Sequence, residues 1–462
     1  MQSWLAIIPV ILSLVLIITT KRTTVSLLSG FVLGALIFQW EDLTQLPAYL
    51  AETALNAISS PWHYSALIFT ILLGGFGSLI QAGGGLQRLF HKTTSVRGLQ
   101  LRTIGLGLLC FFDGLASGVI IARVVQPIAD RIGLSREKLA YLADTTSSAI
   151  ACIAPVSTWI AMQLGLIGTV LSARDLDTSP YALFLHSIPL NFYCLLSLVL
   201  AVGLAVTGYD YGPMARTSAN KPEGKKSAAQ SSLAPALISL IALLLSIPVL
   251  YYCFEVDALL PFSWGKLGSA MGGNSGPTVL IASGLGCLIL LFFLSPAPQW
   301  KQKFSATALG MRNMLQPLLV LLCAWLFGAV IKDLGLAGTL SQLLGDSLSP
   351  RFLPLCTFLL GCLLSFTTGT SWGTMALLFP ISFGLTEHLS DETFLSLAPI
   401  LIAAIFSGSV FGDHCSPYSD TTIISASAAG CHPYDHVRTQ LPYALSCGLI
   451  SALAFFAASL SV

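Results

Sequence analysis

Four carboxylates, Asp113, Asp144, Asp413 and Asp420, lie deep inside long apolar segments, each beside glycine, proline or a run of hydroxyl residues. A charge at the centre of a bilayer costs about 2.5–3.5 kcal/mol on insertion scales, so such residues are rare and need a chemical reason. The densest stretch is Phe411-Gly-Asp413-His414-Cys-Ser416-Pro417-Tyr-Ser419-Asp420-Thr421-Thr422. Gly412 and Pro417 do not sustain a regular helix, so carbonyls and amides near the break lose their partners. Unwound carbonyls, carboxylates and hydroxyls are the hard oxygen ligands that a small cation accepts in place of water. Asp413 and Asp420 stand seven apart, on one face if helical, and bracket the break. A shared cation holds both ionised; without it, repulsion and desolvation favour a proton on one of them. That is a direct route to exchanging a cation for a proton. The plainer alternative is a solvated loop at a helix end, with His414 satisfied by hydrogen bonds.

Three further segments carry the same kinds of atoms. Ser365-Phe-Thr367-Thr368-Gly369-Thr370-Ser371-Trp372-Gly373-Thr374 combines glycines that allow a tight turn with hydroxyls that ligate a cation or cap freed half-helices. Thr370 and Ser371 are the candidate cation ligands there, and Trp372 is a candidate wedge at the tip. Phe111-Phe112-Asp113-Gly114-Leu-Ala-Ser117-Gly118 forms the third segment. The fourth runs from Asp144-Thr145-Thr146-Ser147-Ser148 to Pro155 and Ser157. Asp144 lies a turn or two beyond Lys138, so snorkelling towards the cytosol is its alternative reading. His432 and His436, beside Cys431 and Asp435, lack the glutamate of a zinc motif and read as a loop at the cytoplasmic face. Arg123 is a candidate partner of Asp130 or of an anionic substrate.

The elements that must hold these residues are membrane helices. Of 462 residues, 55% are hydrophobic and 9% charged, and the formal net charge is +1. A soluble domain carries roughly 25% charged residues, so a soluble enzyme, a disordered chain and a nucleic-acid binder are excluded. The eleven cysteines sit mostly in apolar runs without metal or disulfide spacing and read as reduced thiols. No nucleophile stands with a convincing base, and no cofactor motif occurs, so the chain reads as no enzyme and as needing no cofactor. The first apolar run has no basic residue before it and Lys21-Arg22 after it, the reverse of a secretory signal.

Crossing helices are expected near 4–20, 23–40, 62–82, 139–170, 186–207, 233–253, 277–294, 314–331, 396–429 and 440–461. The segments 104–127 and 353–385 are interrupted by small polar residues. Basic loops at 88–102 and 131–138 flank 104–127, and both are cytoplasmic only if that segment enters and leaves by one face. It is therefore expected to be a re-entrant hairpin, and the same alternation makes 353–385 a second one, entering from outside. The threading leaves seventeen basic residues inside and Arg174, Lys266, Lys332 and Arg351 outside. Both termini fall outside. The expected architecture is all-α and polytopic: one repeat in 1–207 (hairpin 104–127, broken helix 139–170), a cytoplasmic linker at 208–232, and a second in 233–462 (hairpin 353–385, broken helix 396–429). An odd number of crossings inverts one repeat relative to the other, the plan of secondary transporters with broken helices at the midplane. Cys152-Ile-Ala-Pro155-Val-Ser-Thr158 echoes His414-Cys-Ser-Pro417-Tyr-Ser-Asp420 weakly.

Gly412-Asp413-His414-Cys415-Ser416-Pro417, followed by Ser419-Asp420-Thr421-Thr422 and by Thr439-Gln440-Leu441-Pro442-Tyr443-Ala444, resembles the NhaC-type Na+/H+ antiporter family. Gly369-Thr370-Ser371-Trp372-Gly373-Thr374 and Ser135-Arg136-Glu137-Lys138-Leu139-Ala140-Tyr141 leading into Asp144 are similar to it as well. The resemblance implies a member of the ion transporter superfamily in a bacterial inner membrane, usually a homodimer in which a transport domain moves against a scaffold. It implies Na+ and H+ as transported ions, with some relatives coupling them to organic acids. One departure stands out. The inner hairpin of many relatives reads Phe-x-Asp-Asp-Tyr-x-Asn, whereas here Gly114 follows Asp113 and Ser117 ends the string, which could leave room for an organic solute.

The expected function is therefore Na+/H+ antiport by alternating, elevator-type access. The alternative is Na+- or H+-coupled transport of a small carboxylate or amino acid. Asp413, Asp420, Asp113, Asp144, Ser416, Ser419, Thr421, Thr370 and Ser371 are the candidate ion and proton ligands, with Na+ at Asp413, Asp420, Thr370 and Ser371. His414, Ser117, Ser157, Trp372 and Thr374 are candidates for substrate contact or gating.

Overall fold

Apolar runs of 19 to 27 residues can satisfy their backbone in hydrocarbon only by coiling into helices, which bond every interior amide within the segment. The computed structural model is correspondingly helical throughout; it describes residues 3–20, 22–90, 92–218, 232–271, 273–296, 299–335, 339, 350–417 and 419–460. Among the described residues, eight helices are long and apolar enough to cross a membrane. Pro61–Gly83, with 23 residues, is one, and spans about 34 Å. The 208–232 linker falls largely on residues outside those described, as do Lys21, Lys221, Lys225, Lys226 and Tyr418.

One group of helices forms a scaffold. Ile8–Thr20 packs on Thr23–Phe38, which packs on Leu315–Asp333. Pro61–Gly83 packs between Gly276–Leu294 and Trp300–Asn313, and Ala234–Glu255 packs on Gly276–Leu294. Gly74 and Gly310 make the central crossing tight. A Cβ on Gly74 would lie 2.7 Å from the Gly310 carbonyl oxygen, and one on Gly310 would lie 2.1 Å from that of Gly74. In lipid, helices associate through such small-residue contacts, because apolar side chains gain nothing by leaving the tails.

The second group contains all four interrupted segments. The first hairpin joins Val96–Leu109 to Gly114–Ile132, and the second joins Leu353–Thr368 to Ser371–Gly384. Each of the expected segments, 104–127 and 353–385, is helix, break and helix; the first extends beyond 104–127 at both ends, where Arg97, Arg102 and Arg131 continue the helices towards the surface. A broken helix follows each hairpin: Arg136–Ile153 with Thr158–Ala173, and Asp391–Cys415 with Asp420–Ala429. Phe192–Thr207 and Pro433–Ser459 complete this group. Leu353–Thr368 and Asp391–Cys415 form the most extensive helix pair. Gly408 and Gly412 bring their backbones together: a Cβ on Gly408 would lie 2.5 Å from the Phe358 carbonyl oxygen.

Two amphipathic helices, Leu46–Ser59 and Trp300–Asn313, were not anticipated. Pro433–Ser459 begins well before the expected 440, which makes His436 helical instead of part of a loop; His432 caps that helix by accepting from the Tyr434 amide at 3.2 Å. Asp130 pairs with Arg136, Nε to Oδ1 at 3.3 Å, and Arg123 is exposed.

Candidate functional site

Each interrupted segment ends one half-helix and starts another, and the residue that starts the second half is a capping residue. Asp113, Ser157, Thr370 and Ser419 cap Gly114–Ile132, Thr158–Ala173, Ser371–Gly384 and Asp420–Ala429 respectively. Their side-chain oxygens accept from the amides of Ala116 (2.6 Å), Ile160 (3.0 Å), Gly373 (3.2 Å) and Thr422 (3.4 Å). These four half-helix N-termini carry partial positive charge, which is how a low-dielectric region tolerates Asp113 and, in the first turn of its helix, Asp420.

All four starts line one cavity of about 600 Å³. Asp113, Asp413, Asp420, Thr421, Thr370, Ser371 and Trp372 face it from the hairpins and broken helices; Arg22, Asn313 and Gln316 face it from the scaffold. Asp113 and Asp413 are almost wholly buried, whereas Asp420 is open to the cavity.

Each buried carboxylate is held by hydroxyls across a break. The Asp113 Oδ2 accepts from Thr158 Oγ1 at 2.6 Å, and the Thr158 amide donates to the Phe112 carbonyl at 2.8 Å, tying hairpin tip to broken helix. In the second half Asp413 accepts from Ser419 on Oδ1 and from Thr421 Oγ1 on Oδ2 at 3.0 Å, while Thr422 Oγ1 donates to the Asp413 carbonyl at 2.9 Å. A carboxylate offers about four lone-pair directions, so each keeps capacity for a cation or a proton. Carboxylates around one shared space repel unless either is bound. Asp413 and Asp420 do flank the break, but not as two positions on one helical face: Asp413 is in the last turn of one helix and Asp420 opens the next.

The remaining candidates lie elsewhere. Ser157 donates to the Ala151 carbonyl (2.7 Å), Thr374 to the Thr370 carbonyl (2.8 Å) and Ser117 to the Cys110 carbonyl; all three are buried behind the cavity wall. Ser416 is buried within the break, its amide donating to the Gly412 carbonyl at 3.0 Å. Gly114 opens no space: Trp159 fills it, and a Cβ on Gly114 would meet the indole Nε1 at 2.6 Å.

Asp144 and His414 also face away from the cavity, into a separate buried cluster. Asp144 has no exposed surface, so it does not snorkel. Its Oδ2 lies 3.3 Å from His436 Nε2 and accepts from Gln440 Nε2 at 2.8 Å. Gln440 Nε2 also reaches the His414 carbonyl at 2.9 Å, and the His414 ring meets Ser148 Oγ at 2.6 Å and Tyr193 OH at 2.9 Å. His436 and Gln440 were missed. The signal was present, since two polar residues four apart on an apolar helix share a face.

The profile of the Na+/H+ antiporter family matches residues 150–460. An uncharacterised protein of Haemophilus influenzae is 28% identical over 97% of this chain and 90% of its own length. The malate-2H(+)/Na(+)-lactate antiporter of Bacillus subtilis is 28% identical over 34% of this chain and 32% of its own length. In fold the chain is similar to the Alcanivorax borkumensis YdaH transporter, with TM-score 0.62 and 17% identity over 89% of this chain and 88% of that one.

Proposed function

The chain belongs to the Na+/H+ antiporter family and is a multi-pass membrane transporter; from that premise we propose that it exchanges Na+ for H+ across a bacterial inner membrane. The observation that carries this reading is the convergence of Asp113, Asp413 and Asp420 with Thr370, Ser371 and Thr421 on one cavity, at three half-helix starts and one half-helix end. Asp413 and Asp420 bind the cation, with Thr370 and Ser371 completing its oxygen shell from the second hairpin and Asp113 supplying charge from the first. Loss of the cation leaves carboxylates that take a proton in its place, so the two ions compete for one site. Alternating access follows if the hairpins and broken helices move together against the scaffold, as an elevator, within a homodimer. Two inverted repeats, 1–207 and 233–462 joined at 208–232, fit the recurrence of hairpin then broken helix in each half.

Purified protein in liposomes with a trapped pH dye tests this. Na+ is expected to evoke a pH change that K+ does not, lost in Asp413→Asn. A folded wild-type protein giving no ion-evoked change overturns the reading.

The cavity volume supports a second reading, Na+- or H+-coupled transport of a small organic anion. About 600 Å³ is ample for a small carboxylate, and Arg22 in its wall offers a counter-charge. The Bacillus subtilis relative is named for malate and lactate. A carboxylate that raises the unfolding temperature of wild-type protein in detergent favours this reading, since a ligand of the native state stabilises it.

A further inference from the structure

The cluster around Asp144 is a second buried polar site, and none of its residues lines the cavity that carries cargo in the reading above. Asp144, His436, Gln440, Ser148, Tyr193 and His414 are all at most 1% exposed. Burying a carboxylate is costly unless its charge is matched and its oxygens are bonded. Here the match is incomplete: among the described residues Asp144 Oδ1, His436 Nδ1 and Gln440 Oε1 have no hydrogen-bond partner. When His436 is neutral and donates Nε2–H to Asp144 Oδ2, its Nδ1 is an unprotonated acceptor. In that form the pair carries a net negative charge and two open positions for one proton, Asp144 Oδ1 and His436 Nδ1.

The titratable groups that face the pair are few. Asp391–Cys415 brings His414, Asp413 and Cys415, and Pro433–Ser459 brings His436 itself. Phe192–Thr207 brings Tyr193, bonded to His414. On its own helix, Lys138 is engaged by Asp210. Among the described residues, no lysine or arginine bonds Asp144; its side-chain partners are His436 and Gln440. A route to water lies close by. Thr439, between His436 and Gln440, lines a polar cavity of about 360 Å³ together with Glu137, Arg216, Asp435 and Arg438.

We propose that Asp144 and His436 form a proton-binding site separate from the cation cavity, loaded through the polar cavity at Thr439 and Asp435 and coupled to the cation site through the Gln440–His414 connection. One proton from water adds to Oδ1 or Nδ1 and the pair becomes neutral overall; no other bond changes. His414 is the physical link, because its backbone adjoins Asp413 while its carbonyl and ring are held by Gln440, Ser148 and Tyr193. This inference rests on Na+/H+ exchange and alters one part of it: proton and cation do not merely compete at Asp413.

The experiment separates the two ideas. In liposomes, wild-type protein is assayed for Na+/Na+ counterflow with labelled Na+ at equal pH, and for Na+ uptake driven by a pH gradient. Asp144→Asn is expected to keep counterflow and lose gradient-driven uptake by at least tenfold. His436→Gln is expected to shift the pH dependence of uptake without abolishing counterflow, and Asp413→Asn to lose both. Loss of both fluxes in folded, membrane-inserted Asp144→Asn and His436→Gln overturns the separate site, as does unchanged gradient-driven uptake. If wild-type protein moves no Na+, the transport reading fails and the site is judged on protons alone. Acidification of detergent-solubilised protein, followed with a pH dye, is expected to show one proton fewer taken up by Asp144→Asn than by wild type; equal uptake overturns the proposal.

Discussion

Asp413 owes its orientation to two hydroxyls from beyond the helix break, those of Ser419 and Thr421. Hydrogen bonds to charged groups contribute roughly 1.5–3 kcal/mol, so Thr421→Val is expected to weaken apparent Na+ affinity by roughly 10- to 100-fold. The Na+ dependence of the dye signal measures it, and an unchanged half-saturating concentration removes Thr421 from the site. Thr158→Val releases the Asp113 Oδ2 and is expected to lower stability by about 1–3 kcal/mol, seen as earlier thermal unfolding in detergent. Asp413, Ser419 and Thr421 were legible in the sequence because nine residues contain carboxylate, break and hydroxyls together. Thr158 was not read as Asp113's partner, since the two are 45 positions apart and only the fold makes them neighbours. Gly114 misled for the same reason: its empty Cβ position is filled by Trp159, another residue distant in sequence. His436 reads as loop because the first turns of its helix, Pro433 to Gln440, carry mostly polar residues and lack the apolar run of a crossing helix.

At the scale of elements, the second hairpin and the second broken helix are locked by glycine. A Cβ on Gly412 would lie 2.5 Å from the Phe366 amide nitrogen, backbone that cannot give way alone. Gly412→Val is expected to destabilise by about 1–3 kcal/mol through overpacking, with a lower unfolding temperature in detergent and a matching loss of exchange. A variant as stable and active as wild type would show that hairpin and broken helix separate freely. The expectation that 104–127 and 353–385 both re-enter the membrane rests on charge alone; the breaks within them were legible from the small polar residues that interrupt both apolar segments. The helices Leu46–Ser59 and Trp300–Asn313 were not, because polar side chains interrupt them. Lys303 shows how such a sequence stays helical at the boundary: its stem is buried and its ammonium bonds the Phe292 carbonyl at 2.9 Å beside the Trp300 ring.

Across the whole molecule, three helices connect two cavities. Thr158–Ala173 presents Trp159 to the cation cavity and Leu166 to Arg174 to another of about 490 Å³; Leu315–Asp333 and Ser371–Gly384 likewise touch the first near their starts and the second near their ends. Both cavities therefore lie along the seam between scaffold and interrupted helices, at opposite ends of it. The proposed elevator would use this seam, because sliding the interrupted helices along it would close one end as it opened the other. On the proposed threading the first cavity, bordered by Arg22, faces inside, and the second, bordered by Arg174 and Lys332, faces outside. In a cysteine-free background, Thr24→Cys is expected to react with an impermeant thiol reagent only in inside-out vesicles, and Ala329→Cys only in right-side-out ones. On the proposed alternating-access reading, conditions that hold the cavity at Arg22 open, such as saturating Na+ on that side alone, should slow labelling at Ala329→Cys. Labelling of both positions from one side refutes the threading, and labelling rates indifferent to Na+ refute the coupling of the two ends.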